Sequence, residues 1–282
     1  MFTRPIQEIE PKDYERLRPI AGRVYADDVA HPRTAYLISG DGHYLAGATG
    51  NQAFNEALNA ALPRDHYFVL FCDPERWSGA LDVVLRDTYA VRATRHYYTL
   101  AEHKMPDWQD RIPEGFSMQR VDAGFLAAER KNRDNVLEWI LEEWKSIEDF
   151  VERGFGFCLV HEDEDAAVSW SLSDYVQGDR CEMGIETDWN YRRQGFGTLA
   201  AAATAAHALE QGFSTIGWHC WHNNAGSIGV AGNVGFEKPA RERLSLRRRG
   251  QGLGPGRRSG GMFPPSPPGR RHRLAARHGT PA

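Results

Sequence analysis

Three observations predict a mixed α/β fold. Strand-like and helix-like segments alternate along most of the 282 residues, which sets helices against a sheet. A strand-like stretch, Arg180 to Thr187, runs into the loop Tyr191-Arg192-Arg193-Gln194-Gly195-Phe196-Gly197, and the alanine-rich helix former Thr198 to Gln211 runs out of it. The hydrophobic fraction of 41% and aromatic fraction of 11% suffice for a sizeable core. Length and composition divide the chain into an N-terminal α/β domain (1–110), a second domain (115–239) and a tail (240–282).

In chain order, Pro11 to Ala21 reads as a short helix. Arg33 to Ser39 and His43 to Ala48 read as strands around the turn Gly40-Asp41-Gly42. Asn51 caps a helix to about Leu62, which Pro63 follows. His66 to Cys72 is a buried strand. Asp73-Pro74 opens the next helix, whose Trp77, Leu81, Val84 and Leu85 fall on one face. Tyr89 to Leu100 reads as a strand and Pro106 to Pro113 as a linker. Phe116 to Val121 starts the second domain as a strand. Asp122 opens one helix, and Val136 to Ile147 forms another, with Trp139, Ile140 and Trp144 inward and Glu142, Glu143 and Glu148 toward water. Gly154 to His161 and Ala166 to Tyr175 make a hairpin about the acidic turn 162–165. The strand 180–187 follows the turn Gln177-Gly178-Asp179. Gly212 ends the alanine-rich helix. Phe213 to Cys220 is a strand, Asn224 opens a short helix, and Asn233 to Glu237 turns into a further strand.

Charge separates the tail from the body. From Ala240 onward there are 11 arginines and one glutamate, leaving 23 basic and 37 acidic residues in the body. An acidic body does not suggest nucleic-acid binding; only the tail could act as a basic arm. The tail is Arg/Gly/Pro-rich and predicted to be disordered. Four scattered cysteines predict free thiols in a reducing compartment. Neither a signal core nor a membrane-length apolar run is visible, so a cytoplasmic protein without a membrane partner is expected. No metal is expected: the turn 162–165 lacks the alternating ligands and glycine of a calcium loop, and His219 and Cys220 on one strand point to opposite faces.

The loop before the alanine-rich helix has its own chemistry. Small residues let backbone amides approach a ligand. The first helical N–H groups and the helix dipole then favour a phosphate or pyrophosphate.

Asn224-x-x-Ser227-Ile228 and Gly235-Phe236 follow that loop at a telling distance. With them, residues 115–238 resemble the GNAT superfamily of acetyl-CoA-dependent N-acetyltransferases. The segments 150–158 (FVERGFGFC), 181–187 (CEMGIET) and 217–224 (GWHCWHNN) are similar to the zwittermicin A resistance-type acetyltransferases. The resemblance implies a GNAT fold, a mixed, mostly antiparallel central sheet flanked by helices and preceded by a smaller α/β domain. It implies acetyl-CoA as co-substrate, no metal, and direct acetyl transfer to a primary amine of a small molecule, antibiotics included. Gly184, Ile185, Glu186 and Thr187 would line the pantetheine arm. Arg192, Arg193, Gln194, Gly195, Phe196, Gly197 and Thr198 would surround the pyrophosphate. Asn224 and Ser227 would contact the cofactor, Asn224 being equally a helix cap. Glu182 and Glu186 share a strand face and are the candidate bases, the alternative being plain surface carboxylates. Two departures stand out. Ala231 occupies the place of the tyrosine that protonates the leaving thiolate in many relatives. Beyond Pro239, Arg243-Leu244-Ser245-Leu246 is at most a remnant of an expected strand. A GNAT-like module that binds acyl-CoA without turnover is therefore the alternative, and the oligomeric state stays open.

Overall fold

The protein is described by a computed structural model that covers residues 7–9, 22–39, 42–66, 68–238 and 244–249. The expected helix at Pro11 to Ala21 and the tail beyond Arg249, with its proposed basic arm, lie outside the described residues. The first part contains strands β1 (Gln7–Ile9), β2 (Gly22–Ala26), β3 (Thr34–Ser39), β4 (Gly42–Gly47), β5 (Val69–Cys72) and β6 (Ala90–Leu100), with helices α1 (Gln52–Ala61) and α2 (Pro74–Val84). The second contains β7 (Phe116–Arg120), helices α3 (Ala123–Ala127), α4 (Arg133–Glu143) and α5 (Ile147–Arg153), then β8 (Gly156–His161), β9 (Ala166–Gln177) and β10 (Arg180–Thr187). Helix α6 (Phe196–Glu210), β11 (Thr215–Trp221), α7 (Ala225–Val234), β12 (Phe236–Glu237) and β13 (Leu244–Arg249) complete the order.

These strands form one mixed, mostly antiparallel sheet in the order β1-β2-β3-β4-β5-β13-β6-β11-β10-β9-β8-β7, with β12 also on β6. Only β4–β5 and β10–β11 are parallel neighbours among the described strands. Helices α1 and α2 close a core around Phe54, Leu58, Trp77 and Leu81 on the N-terminal strands. Over the rest of the sheet, α6 and α7 cover one face, and α3, α4 and α5 the other.

Alanine decides how closely α6 packs. Ala200, Ala201, Ala202, Ala203, Ala205 and Ala208 are each at most 1% exposed. The strands beneath answer with small residues, the buried Ser169, Ser171 and Ser173 of β9. Buried hydroxyls need partners. Ser171 Oγ donates to the Gly184 carbonyl at 2.8 Å and Ser169 Oγ to the Glu186 carbonyl at 3.0 Å, fastening β9 to β10. The Thr204 hydroxyl of α6 lies 2.9 Å from the Ser171 carbonyl, so helix and sheet are joined by a buried hydrogen bond.

Local signals did their work where they were expected. Asn51 Oδ1 accepts from the Phe54 amide, and Asp73 Oδ1 from the amides of Glu75 and Arg76. Three differences have physical causes. The helix expected over Val136 to Ile147 is two helices: Trp144 is extended (φ −112°, ψ 153°), its indole donates to the Ser173 carbonyl at 2.8 Å, and Ser146 caps α5. Helix α6 starts at Phe196 instead of Thr198, because Gly195 at φ 83° turns the chain into it. The tail, expected irregular from Ala240, contains β13, which pairs with β5 on one side and β6 on the other. The sheet also crosses the expected boundary near 110–115, since β6 pairs with β11. All four cysteines are buried, and no two of them form a disulfide. Among the described residues no helix is long and apolar enough to cross a membrane.

Close packing of α6 has a measurable consequence. Ala201→Leu is expected to destabilise the protein by about 1–3 kcal/mol through overpacking. Leu209→Ala, at a position 47% exposed on the same helix, should stay within about 0.5 kcal/mol of wild type in the same urea titration.

Candidate active site

The site arises where pairing stops. Parallel β10 and β11 match Arg180 with Thr215, Cys181 with Ile216 and Glu182 with Gly217, and no further. Strand β10 continues to Thr187 with β9 as partner, while β11 continues to Trp221 with β6 as partner. Each strand therefore turns an unpaired edge to a gap, where alternate N–H and C=O groups lack a strand partner. An extended ligand can hydrogen-bond there as an added strand would. A bulge marks the parting: Glu182 opposes Tyr175 and Met183 opposes Ser173, leaving Asp174 as the extra residue. Such bulges bend and twist a strand locally.

The extra residue lies on β9, so β10 keeps its alternation and Glu182, Gly184 and Glu186 share one face. Glu182, 8% exposed, bonds His219 of β11 through imidazole Nδ1 and carboxylate Oε1. Tyr97 of β6 stands opposite His219 in the ladder, with ring centroids 4.5 Å apart. Gly184 is required by its neighbours: a Cβ there would meet Trp139 Cζ2 at 2.3 Å and Asp174 Oδ1 at 2.7 Å. The Trp139 indole donates to Asp174 Oδ1 at 3.0 Å.

This face is acidic. Burial raises the Asp174 carboxyl well above the usual range; Glu143 and Glu182 add to the rise, and Trp139 and Arg95 oppose it. Burial also raises Glu186, opposed by Arg192 and reinforced by Glu142, Asp188 and Glu138. Glu142 is raised by burial and then by Glu138.

The opposite character appears where β10 meets α6. Arg193 (φ 66°) and Gly195 (φ 83°) both adopt the left-handed conformation, and α6 has no side-chain cap. The amides of Arg193, Gln194, Gly195, Phe196 and Gly197 donate to no acceptor among the described residues. Gly197 is needed for a close approach: its Cβ would lie 3.1 Å from Thr187 Oγ1. Thus the end of β10 and the start of α6 touch. Free amides, a helix N-terminus and exposed arginines together favour an anionic group such as a phosphate or pyrophosphate.

The remaining sequence-predicted residues divide by what their side chains already do. Ile185 packs against the α6 core, and Phe196 is buried with its ring 4.8 Å from that of Phe116, so both reach a ligand only through main chain. The Thr198 amide is bonded to the Gly195 carbonyl at 2.9 Å. Arg192 Nε donates to the Thr187 carbonyl at 3.0 Å, and its guanidinium stacks on Trp189. Gln194 is exposed and reaches back only as far as the Asn190 carbonyl, 3.5 Å away. Asn224 Oδ1 caps α7 by accepting from the Ser227 amide, and Ser227 Oγ accepts from Trp218 Nε1 at 3.0 Å. From sequence His219 was given no catalytic role, only set aside as a metal ligand. The parallel register that brings it to Glu182 has no local signal. Among the described residues no group of three or more metal-binding side chains occurs.

Comparison with known proteins gives consistent matches. A family model described as GNAT acetyltransferase matches residues 14–241. A Bacillus subtilis protein named uncharacterized N-acetyltransferase YdfB is 28% identical over 225 residues, covering 77% of this chain and 82% of that protein. A GCN5-related N-acetyltransferase-like protein from Streptococcus suis superposes with a TM-score of 0.64 at 21% identity, over 85% of this chain and 93% of that one. A tandem GNAT protein from the clavulanic acid biosynthesis pathway gives a TM-score of 0.57 at 11% identity, over 83% and 84%. These two likenesses are of fold.

The raised carboxyl of Asp174 makes a linkage prediction. A folded-state value above the unfolded one gives stability that is present at low pH and lost as pH rises through the folded value. Asp174→Asn removes the ionisation, so its stability relative to wild type should increase from about pH 4 towards neutrality. Urea unfolding at several pH values checks the sign; a constant difference contradicts it.

Proposed function

Because the chain belongs to the GNAT acetyltransferase family, it is an acyltransferase, and we propose that it moves acetyl from acetyl-CoA to a primary amine of a small molecule by direct attack. The observation carrying this reading is the gap between β10 and β11, lying against the unpaired amides at the start of α6. Bound acetyl-CoA supplies an activated thioester. The main chain of Gly184, Ile185, Glu186 and Thr187 borders the gap and would hold the pantetheine arm. The amides of Arg193 to Gly197, the α6 dipole and the charges of Arg192 and Arg193 would hold the pyrophosphate, with Thr198 in the first turn. Asn224 and Ser227, at the start of α7, would face the cofactor arm through groups their capping bonds leave free.

Glu182 and Glu186, on the acidic face, are the carboxylates proposed to assist removal of the amine proton, directly or through an intervening group. The acidity supports a cationic acceptor, because an ammonium group is attracted to it. The FVERGFGFC, CEMGIET and GWHCWHNN segments support the zwittermicin A resistance-type branch and an amine-bearing antibiotic as acceptor. Residues 115–239 are the catalytic domain in this reading, and the domain 1–110 contributes β6 beside β11. A second reading, acyl-CoA binding without turnover, is favoured by Ala231, which is wholly buried in α7 and offers no acid.

Calorimetry with acetyl-CoA and thiol release over an amine panel separate these readings. Binding with turnover supports transfer, binding without turnover on any amine supports the second reading, and no binding at any concentration rejects both. Gly197→Leu, which forces a side chain onto Thr187, should weaken acetyl-CoA binding by at least ~10-fold.

A further inference from the structure

We infer that His219 is the catalytic base of this site and that Glu182 is its positioning residue. The inference rests on the acetyl-transfer reading and names the group that carries the proton.

Three observations lead to it. First, Glu182 is buried on β10, and its carboxylate bonds His219 Nδ1 on β11. An ionised carboxylate only accepts hydrogen bonds, so the imidazole must donate from Nδ1. In the neutral ring this leaves the lone pair on Nε2. Second, Nε2 has no hydrogen-bond partner among the described residues, and the side chain keeps 18% exposure. Third, the residue stands at the mouth of the gap. Glu182 and Gly217 are the last matched pair of the two strands, and His219 is two residues past Gly217 along β11, on the same face. A buried carboxylate whose hydrogen-bonding edge is occupied by imidazole is a poor direct base. The imidazole it orients is a good one, because the carboxylate stabilises the ring once protonated.

The step balances. The acceptor is drawn to the acidic face as an ammonium ion and loses one proton to solvent there, which leaves the neutral amine. The amine nitrogen bonds to the acetyl carbon, the carbon–sulfur bond breaks, and the electron pair leaves on sulfur. The second nitrogen-bound proton passes to His219 Nε2, and from there to the departing thiolate, so the products are an amide and free CoA thiol. Tyr97 packs on the ring and holds its plane. The other ionisable groups on this face are Arg95 and Tyr97 of β6, Asp174 and Tyr175 of β9, Glu186 of β10, and Glu138, Glu142 and Glu143 of α4; Asp174 and Tyr175 both interact with Glu182.

The test has two arms on the full chain. In the first, the 15N–1H histidine spectrum is recorded with and without acetyl-CoA. Expected is a neutral His219 protonated at Nδ1, an Nε2 resonance that moves when acetyl-CoA binds, and loss of the tautomer preference in Glu182→Gln. A ring protonated at Nε2, or a resonance unmoved while calorimetry records binding, overturns the inference and leaves the acetyl-transfer reading intact. Failure of acetyl-CoA to bind removes that reading, and this inference with it. In the second arm, His219→Gln should lower kcat roughly 100-fold with the acetyl-CoA Kd unchanged, and abolish the acidic limb of the pH–rate profile. Glu182→Gln should also lower kcat with the acetyl-CoA Kd unchanged, since the ring loses the carboxylate that orients it. His222→Gln, whose ring bonds only the Thr94 carbonyl, is the control expected to match wild type. A His219→Gln enzyme with wild-type kcat and pH profile overturns the inference.

Discussion

The parallel pairing of β10 with β11 lasts three matched residues, and the site exists because it lasts no longer. Had the register continued, the edge of β10 would be filled by β11, and neither main-chain groups nor His219 would face an opening. Two constraints keep the strands apart. The extra residue Asp174 deflects the β9–β10 pair where they separate, and β11 is held by its other edge along β6. The gap is thus maintained by ladders outside it, which is how a rigid fold keeps unpaired backbone in readiness for a ligand.

That opening is polarised across the sheet. Residues of β10 alternate between an α6 side, where Cys181, Met183 and Ile185 join the core, and the opposite side, which carries Glu182, Gly184 and Glu186 and where Gly184 lies against Trp139 and Asp174. Unpaired amides and the α6 N-terminus lie at one end, carboxylates on one face. An anionic cofactor and a cationic acceptor would be sorted to different sides of the same strand by charge alone. The glycine at position 184 makes this possible, since any side chain there would displace Trp139 from the backbone.

What could be read in the sequence was local. The caps at Asn51 and Asp73 and the strand–loop–helix passage into α6 each depend on residues within a few positions, and each lies where its neighbours imply. The split between α4 and α5 was hidden because Trp144 gives up helical geometry for a bond to Ser173, 29 residues away. The pairing of His219 was missed because its partner Glu182 is 37 residues distant and the register between their strands leaves no mark on composition. Strand β13 was legible only as the remnant Arg243 to Leu246: an arginine-rich stretch is a poor advertisement for a sheet interior, and its place is set by β5 and β6.

The position of β13 bears on how the chain is made. Its partners on β5 and β6 are joined to it across more than half of the sequence, with Ser245 matched to Cys72 and to Thr94. On a ribosome, both flanking groups of strands emerge and can order long before residue 244 does. The slot between them must then stay open, or reopen, until the last strand arrives. Two edges with unmet hydrogen bonds are therefore exposed throughout most of synthesis, and contacts of this sequence separation form slowly. A nascent chain stalled before residue 244 would carry a finished site beside an unfinished seam, and would be a target for chaperones or for a second chain's strand.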